Sequence, residues 1–483
     1  MLTAARLSLE ANLTTTARHW GHASSPASMA SLRSDADQPG SLSAPRGAGL
    51  LAWRPRGVSW GAFGTRLLAL CLAGLLLRAA FIAYVPRDPD HVDDSLYYHQ
   101  YAISIADGQG YVDPFKGSVT AAWPPGYPFL LGGAYKAFGD SPWTAKWLNV
   151  VLGTVTVGLL GLAVRKHMGG RAGLIAAGTL AAYPAHIYFT VMVMTEIPFT
   201  FLLVLAYFII VHQPAVLRSA VILGVVAGAG ILMRGEALLL PVAYGGYWLL
   251  QRRSVRRAVI LTIVSGLVAA ACVGPWTYRN YRVMDAFVPI NTSASDALWT
   301  GHYAGATGGI TFDHLKLTPE EEAGLGPKKA EVESSARRQS AVLRFMRDHP
   351  VDEFELIPRK LLYLFSGDAN TMTWVQAPTS GGAVLSAIQV QLFGVAADFY
   401  YYTLLSASLV GAVLAWRRRQ RPAAALAFIA GIAAMFLFMH GWLTYGDARY
   451  RLPMMPFLIA LAAVGIGDVW QAVSRAGDAP RLT

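Results

Sequence analysis

The feature that most constrains the fold of this chain is a series of long apolar segments separated by short turns. Hydrophobic residues make up 54% of the 483 residues, and charged residues make up only 14%. An apolar segment of roughly 20 residues crosses the hydrocarbon core as an α-helix, because every backbone polar group in lipid must be satisfied internally. The sequence therefore predicts an all-α polytopic membrane protein with about ten or more transmembrane helices, at 64–85, 142–164, 171–190, 196–212, 217–233, 236–250, 257–275, 400–416, 422–440 and 452–470.

The basic residues between these segments predict their orientation, because short cytoplasmic loops carry an excess of lysine and arginine. With the N-terminus inside, the loops after the even-numbered segments are cytoplasmic, and they hold the clusters Arg165, Lys166 and Arg171; Arg218; Arg252, Arg253, Arg256 and Arg257; and Arg417, Arg418, Arg419 and Arg421. We therefore expect a multi-pass protein of the cell inner (plasma) membrane. Residues 1–60 are predicted to be a disordered cytoplasmic tail, 61–472 the membrane body and 473–483 a cytoplasmic tail.

Composition excludes several other classes of protein. The net charge of +11 is explained by the loop bias, so no nucleic-acid partner is expected. Cys71 and Cys272 both lie in apolar segments, which favours neither a disulfide framework nor a zinc site. The histidines of the outer loops have no usual metal-ligand spacing, and no glycine-rich nucleotide loop follows a strand. No cofactor is expected to be required, although the sequence leaves a divalent metal open.

The first large outer loop, 86–141, carries the acidic pair Asp93-Asp94 directly after the first apolar segment. Neighbouring carboxylates repel each other and are costly to desolvate, so a membrane protein keeps them beside apolar surface mainly when chemistry needs them. The alternative is a solvated loop in which these aspartates cap a helix. The second outer loop is predicted to span 276–399, with helical segments in both loops.

Further charged residues are predicted to converge on the same side. Glu196 opens the fourth segment, where it is either functional or an acid favoured by the helix dipole. The charge bias disfavours positive charge on the outer face, yet this face carries several arginines. These arginines either snorkel to lipid head groups or hold a bound anion. Planar guanidinium groups suit phosphate. The arginines concerned are Arg234, Arg279, Arg282, Arg449 and Arg451.

In order and sidedness these pieces resemble one known class, the GT-C integral-membrane glycosyltransferases, in the group of protein mannosyltransferases and lipid A aminoarabinose transferases. The resemblance covers about residues 64–470. One departure is Asp94, where many members have glutamate, and we expect no soluble C-terminal domain of the kind that oligosaccharyltransferases carry. The motifs that carry the resemblance are Asp93-Asp94 with Tyr97 and Ala102, Gly108, Gly110-Tyr111, Pro124 to Pro128 including Tyr127, Asn149, Pro184, Thr195-Glu196, Arg234, Pro275 with Arg279-Asn280-Tyr281, and Arg449-Tyr450.

The resemblance implies a GT-C fold and an inverting transfer of a monosaccharide from a polyprenyl-phosphate donor at the periplasmic or extracytoplasmic face. The implied acceptor is an envelope lipid, polysaccharide or protein. Asp93 is the expected general base, with Asp94 orienting it or the sugar. Glu196 would bind sugar hydroxyls or the acceptor, and the remaining expected substrate-binding residues are Arg234, Arg279, Arg449, Arg451, Tyr97 and Tyr127. The competing hypothesis is a secondary transporter of an anionic or lipid-linked solute, which would bury charges at mid-span.

Overall fold

The computed structural model describes residues 60–85, 87–89, 94–252, 254–311, 318, 321, 324–376, 384–417 and 423–477. The regular structure of this part of the chain is helical, apart from a single antiparallel bridge between Val112 and Val119. Most of the predicted N-terminal tail, the residues after 477 and the predicted base Asp93 lie outside the described residues. The predicted all-α polytopic class is confirmed.

The helices follow one another in this order. They are α1 (Trp60–Tyr84), α2 (Asp94–Ala106), α3 (Gly126–Phe138), α4 (Pro142–Met168), α5 (Gly170–Ala181), α6 (Pro184–Tyr188), α7 (Glu196–His212), α8 (Leu217–Met233), α9 (Leu240–Arg252), α10 (Val255–Met284), α11 (Ala294–Gly301), α12 (Pro327–Asp348), α13 (Pro350–Leu364), α14 (Asn370–Val375), α15 (Ala387–Arg417), α16 (Ala423–Phe438), α17 (Ala448–Arg451) and α18 (Met455–Gly477).

Among the described residues, six helices are long and apolar enough to cross a membrane, and a bent pair would make a seventh span. The bent pair joins Gly170–Ala181 to Pro184–Val191 at an angle of 54°. Two predicted spans are present as α7 and α8, whose 17 residues each are short for a full crossing. The six long helices are Gly61–Tyr84, Pro142–Met168, Val255–Met284, Ala387–Arg417, Ala423–Leu443 and Ala448–Ile466.

Two helices extend into 276–399, the range predicted for the second outer loop. Helix α10 continues past Pro275 to Met284, and α15 begins at Ala387. The extension of α10 is held by its own polar side chains. Trp276 donates from Nε1 to the Ile290 carbonyl at 2.7 Å, and Asn280 donates from Nδ2 to the Val288 carbonyl at 3.1 Å. The polar run after residue 275 therefore anchors the returning chain and does not begin a loop.

Close helix packing places the proline-rich turn of the first loop against the end of α8. A Cβ atom on Gly126 would lie 2.8 Å from the backbone of Leu232, so only glycine permits this approach. Aromatic stacking joins α7, α9 and α16, since Tyr207 and Tyr244 both stack on Phe428. These contacts hold the proline-rich turn beside the end of α8 and pack α7, α9 and α16 together.

Candidate active site

A cavity of ≈ 1180 Å³ lies among the ends of several helices and the segments that connect them. Its lining comes from the start of α2, the turn around Asp113, the start of α7, the residues just after α8, helices α11 and α12, and the stretch from Met439 to Tyr450. Segments far apart in sequence therefore contribute to one cavity.

One wall of the cavity is a continuous line of alternating acidic and basic side chains. Arg449 donates from Nη1 to Asp94 Oδ2 at 3.1 Å, and its Nε lies 3.4 Å from Glu196 Oε1. Arg234 donates from Nη1 to the same Glu196 oxygen at 3.2 Å and from Nη2 to Glu236 Oε1 at 2.8 Å. We call this line of six residues, which ends at His440, the charged wall; the ring Nε2 of His440 lies 3.1 Å from Glu236 Oε1.

Local chain geometry explains how these side chains meet. Asp94 and Glu196 are the first residues of α2 and α7, where the helix dipole favours a negative charge. Arg234 follows the last turn of α8 in extended backbone, so its side chain leaves the helix end. Arg449 sits in the short helix α17, whose start is capped by Asp447 accepting from the Arg449 amide at 2.8 Å.

Aromatic rings enclose the guanidinium groups of the charged wall. Arg449 lies 4.2 Å from the ring centroid of Trp374 and 5.1 Å from that of Tyr450. Arg234 lies 5.0 Å from the Tyr450 ring, which also stacks on His440 at 4.4 Å. Rings of this kind hold cations in place while excluding water, which strengthens the electrostatic interactions within the cavity.

Glu196 has a free hydrogen-bonding position on this wall. Its side chain is 2% exposed, and its Oε2 atom is buried with no hydrogen-bond partner in the part of the chain that the structure describes. A buried carboxylate oxygen without a partner is costly. Glu196 therefore has a hydrogen-bonding position that the described side chains leave unfilled.

A second part of the cavity lining comes from α11 and α12. Glu331 accepts from the Thr120 hydroxyl at 2.7 Å, the Ala121 amide at 3.0 Å and the Thr292 hydroxyl at 2.9 Å, which ties the segment between α2 and α3 to α12. Arg338 pairs with Asp296 at 3.1 Å. Hydroxyl and amide side chains fill the space between them, so this part of the lining suits a polar substrate group.

Tyrosines of α2 complete the cavity floor. Tyr97, a predicted substrate-binding residue, lines the cavity with Trp123, and the two ring centroids are 5.5 Å apart. Burial first, and then the Asp113 carboxylate, raise the pKa of Tyr97. Burial and the Asp94 carboxylate raise the pKa of the neighbouring Tyr98. Both phenols therefore stay protonated near neutral pH and offer hydrogen-bond donors.

The structure brings together Asp94, Glu196, Arg234, Arg449 and Tyr97, but it places three other predicted residues elsewhere. Arg451 does not line the cavity. It is fully buried, pairs with Asp368 and donates to the Ser366 carbonyl at 2.8 Å. Its role is to tie α17 to the loop before α14. This placement differs from the expected phosphate contact, because the Arg451 side chain is buried in the protein interior and does not reach the cavity.

Arg279 and Tyr127 also lie outside the cavity lining. Arg279 donates to the Tyr111 carbonyl at 2.8 Å and to the Thr120 carbonyl, and its guanidinium lies 4.8 Å from the Trp276 ring. It therefore clamps the first outer loop onto α10. Tyr127 is fully buried, and its ring packs edge-on against Tyr98 at 5.2 Å. Both residues pack against the structure around the cavity and do not line it.

Sequence reasoning missed two members of the charged wall, Glu236 and His440. Glu236 stands two residues after Arg234, and His440 lies two residues after α16, within the predicted segment 422–440. An ionisable residue inside a membrane segment is a signal of function, so His440 could have been identified from the sequence. For metal binding, the described residues contain no group of three or more histidine, cysteine, aspartate or glutamate side chains that could hold an ion.

Comparison with known proteins gives one match to a family model. Residues 122–278 match the family described as dolichyl-phosphate-mannose-protein mannosyltransferase, which is less than half of the chain. No curated protein matches the sequence.

Solved structures match over most of this chain. The oligosaccharyltransferase of Archaeoglobus fulgidus, in complex with zinc and sulfate, is 17% identical with a TM-score of 0.52, over 84% of this chain and 49% of that one. The same archaeon's oligosaccharyltransferase AglB, with an inhibitory peptide and a dolichol-phosphate, is 17% identical with a TM-score of 0.51, over 88% and 53%. The chain thus spans about half the length of these structures.

ArnT from Cupriavidus metallidurans, bound to undecaprenyl phosphate, is 16% identical over 86% of this chain and 80% of that one. Its TM-score of 0.36 is too low to support an argument about the fold. The family match and the two archaeal structures confirm the resemblance predicted from the sequence: the chain has the fold of the GT-C membrane glycosyltransferases.

Proposed function

We propose that this protein is an inverting glycosyltransferase that moves a monosaccharide from a polyprenyl-phosphate donor to an envelope acceptor at the outer face of the membrane. The observation that carries the proposal is the charged wall, in which Arg234 and Arg449 alternate with carboxylates along a cavity at the ends of apolar helices. A polyprenyl phosphate stays in the bilayer, so its sugar is presented at this depth. The archaeal relative that holds a dolichol-phosphate supports the same class of donor.

The outer-face location rests on the distribution of basic residues. The clusters at Arg165 and Arg256 stand at the opposite helix ends from Asp94 and Glu196. Under the positive-inside rule, the end that carries the cavity is extracytoplasmic. Attachment of a membrane-impermeant label to cysteine substitutions at 255 and 333 in intact cells tests this orientation. Labelling at 333 and not at 255 is the expected result, and the reverse pattern would contradict it.

Transfer with inversion is a direct displacement at the anomeric carbon. The bond from that carbon to the donor phosphate oxygen breaks, a bond from the acceptor oxygen forms, and a carboxylate takes the acceptor proton. The phosphate gains one negative charge as the base loses one, so the total charge of the cavity is unchanged. Preorganised guanidinium groups stabilise the charge that develops on the leaving oxygen.

The two aspartates of the first loop have different roles in this proposal. Asp94 Oδ2 is occupied by Arg449, which suits Asp94 to orienting the site. Asp93 precedes it immediately and is our proposed general base, as the resemblance implies. Glu196 offers its unpartnered Oε2 to a sugar or acceptor hydroxyl. The acceptor class, whether lipid, polysaccharide or protein, is left open, and no step is assigned to a metal.

The decisive experiment incubates the purified protein with a panel of polyprenyl-phosphate sugars and measures release of polyprenyl phosphate. At least one donor should be consumed by the wild type in the presence of envelope extract as acceptor, and Asp93→Asn should not consume it. Asp140→Asn, which changes an exposed loop carboxylate, is the matched control and should react normally. Absence of release from every donor would contradict the proposal.

A further inference from the structure

A second buried cluster of ionisable side chains lies beside the cavity without lining it. His302 follows α11, and Glu353 and Lys360 project from α13; their exposed fractions are 0%, 7% and 0%. His302 Nδ1 donates to both carboxylate oxygens of Glu353 at 2.8 Å, and its Nε2 lies 3.4 Å from Lys360 Nζ. Three buried titratable groups in contact are expensive, so the fold must gain something from them.

The cluster binds the carbonyl end of the helical stretch that follows α16. Lys360 Nζ donates to the Trp442 carbonyl at 2.7 Å, and His302 Nε2 lies 3.0 Å from the Leu443 carbonyl. The last carbonyls of a helix lack intrahelical partners and carry the negative end of the helix dipole. A buried ammonium group satisfies both requirements at Met439–Leu443.

Close backbone contact makes this arrangement specific. A Cβ atom on Gly446 would lie 1.8 Å from the Lys360 carbonyl oxygen, and one on Gly301 would lie 2.3 Å from the Thr444 carbonyl oxygen. Gly446 also donates from its amide to the Gly308 carbonyl at 2.9 Å. The turn after Leu443 is thus pressed against α13 and α11 with no room for side chains between them.

The helical stretch that ends in this turn, Met439–Leu443, contributes to the charged wall. Its His440 contacts Glu236 through Nε2, and the Thr444 hydroxyl of the turn lies 3.0 Å from His440 Nδ1. Glu236 in turn holds Arg234. Any movement of the turn therefore shifts His440, and through Glu236 it changes the orientation of an arginine proposed to bind phosphate.

We propose that Lys360, oriented by His302 and Glu353, is a positioning residue that fixes the helical stretch carrying His440 and so sets the geometry of the Arg234 end of the active site. The inference rests on the proposed function for its catalytic consequence, but its structural consequence is independent of that function.

The ionisation of the cluster agrees with this role. Burial lowers the pKa of Lys360 to about 8, which leaves the side chain mainly protonated at neutral pH. Burial first, and then the Lys360 charge, lower the pKa of His302. The Lys360 ammonium group is held by the Trp442 carbonyl, and the His302 ring lies between the Glu353 carboxylate and the Leu443 carbonyl.

The first test measures modification of histidines by diethyl pyrocarbonate in the purified protein, with mass spectrometry to assign the sites. In Lys360→Met, labelling of His440 should rise about tenfold, the factor expected when one charge-assisted hydrogen bond that keeps a turn closed is lost. His186, which is also fully buried, reports on general loosening and should not change. Arg359→Met is the matched control, because Arg359 is the exposed neighbour on the same helix.

Unchanged labelling of His440, or a parallel rise at His186, would overturn the proposal. Lys360→Gln provides a second variant, because the glutamine amide retains an N–H donor. Labelling of His440 in Lys360→Gln should lie between the values for Lys360→Met and for the wild type. These measurements require no sugar transfer, so they distinguish failure of this inference from failure of the proposed function.

The second test is a double-mutant cycle on donor turnover. Lys360→Met should lower the turnover rate on the order of tenfold to a hundredfold, as small displacements in active sites do. If Lys360 acts through His440, the double variant with His440→Gln should be no slower than His440→Gln alone. Losses that multiply would show independent roles and overturn the proposal.

Discussion

Arg449 and Asp94 are 355 positions apart in sequence, yet Arg449 Nη1 donates to Asp94 Oδ2 at 3.1 Å. The contact joins the short helix before α18 to the first turn of the helix that follows α1. It also sets the position of the acidic pair relative to Glu196, because the same guanidinium lies 3.4 Å from the Glu196 carboxylate. The first and last parts of the membrane body thus meet at the proposed reaction centre.

The two aspartates of the acidic pair, Asp93 and Asp94, should contribute unequally to the rate of sugar transfer. Asp93→Asn should lower sugar transfer by about a thousandfold, within the range for removal of a general base. Asp94→Asn should lower it by only about tenfold, because asparagine keeps an oxygen that can accept from Arg449. The measurement is donor turnover by protein quantified after purification, with both variants expected to insert and accumulate normally.

Equal losses in these two variants would contradict the division of roles. Normal turnover by Asp93→Asn would remove the proposed mechanism altogether. Asp94 is 29% exposed as a side chain, so its substitution leaves little buried charge unpaired and a folding defect is not expected.

Replacing Arg234 should affect the donor more than the acceptor. Arg234→Lys keeps the charge but loses the planar fork that reaches Thr195, Glu196 and Glu236 together. We expect kcat/KM for the lipid-phosphate donor to fall about a hundredfold, the loss typical of one stabilising donor at a developing charge, with the acceptor KM unchanged. Steady-state kinetics with each substrate varied in turn measures the difference.

The matched control for this variant is Arg282→Lys, which changes an exposed guanidinium on the same face. It should leave both kinetic constants unchanged. A comparable rise in the KM of acceptor and donor in Arg234→Lys would count against a phosphate role.

Much of the fold could be predicted because apolar length and loop charge act over whole segments. The limits of α4, α7 and α8 agree with the predicted segments to within a few residues, since lipid exposure requires a long run of apolar side chains there. The convergence of four residues could also be predicted, because each stands at or near the end of a predicted segment and all four ends face the same side of the membrane in the predicted topology. These residues are Asp94, Glu196, Arg234 and Arg449.

The identity of the cavity arginines could not be predicted from sidedness alone. Arg449 and Arg451 are two residues apart in helix α17, so their side chains leave the axis about 200° apart. One therefore enters the cavity and the other enters the protein interior. The packing partners determine which arginine enters the cavity: Arg449 packs on Trp374, and Arg451 packs on Tyr401.

Arg451 should therefore affect stability and not donor use. Arg451→Met removes the partner of Asp368, whose other oxygen accepts from the Tyr183 hydroxyl at 2.6 Å, and leaves a buried carboxylate. Breaking a buried pair in this way costs about 3–5 kcal/mol. A thermal-unfolding scan in detergent should show a large loss of Tm that Asp368→Asn partly restores, while the donor KM of the remaining folded protein stays normal. A selective rise in donor KM would return Arg451 to the list of phosphate ligands.

The depressed pKa of Lys360 predicts a specific dependence of stability on pH. Burial lowers this pKa from 10.5 in the unfolded chain to about 8 in the folded protein. Between these values the unfolded state binds more protons than the folded state, so the contribution of Lys360 to stability rises with pH through this window and is level below about 8. The full change corresponds to about 3 kcal/mol at 1.36 kcal/mol per pKa unit.

The Tm difference between wild type and Lys360→Met, measured in steps from pH 7 to pH 10.5, should therefore shift in favour of the wild type as pH rises. Arg359→Met, which changes an exposed side chain on the same helix, should show a constant difference. A constant difference for Lys360→Met as well would mean that Lys360 is not buried as a charged group.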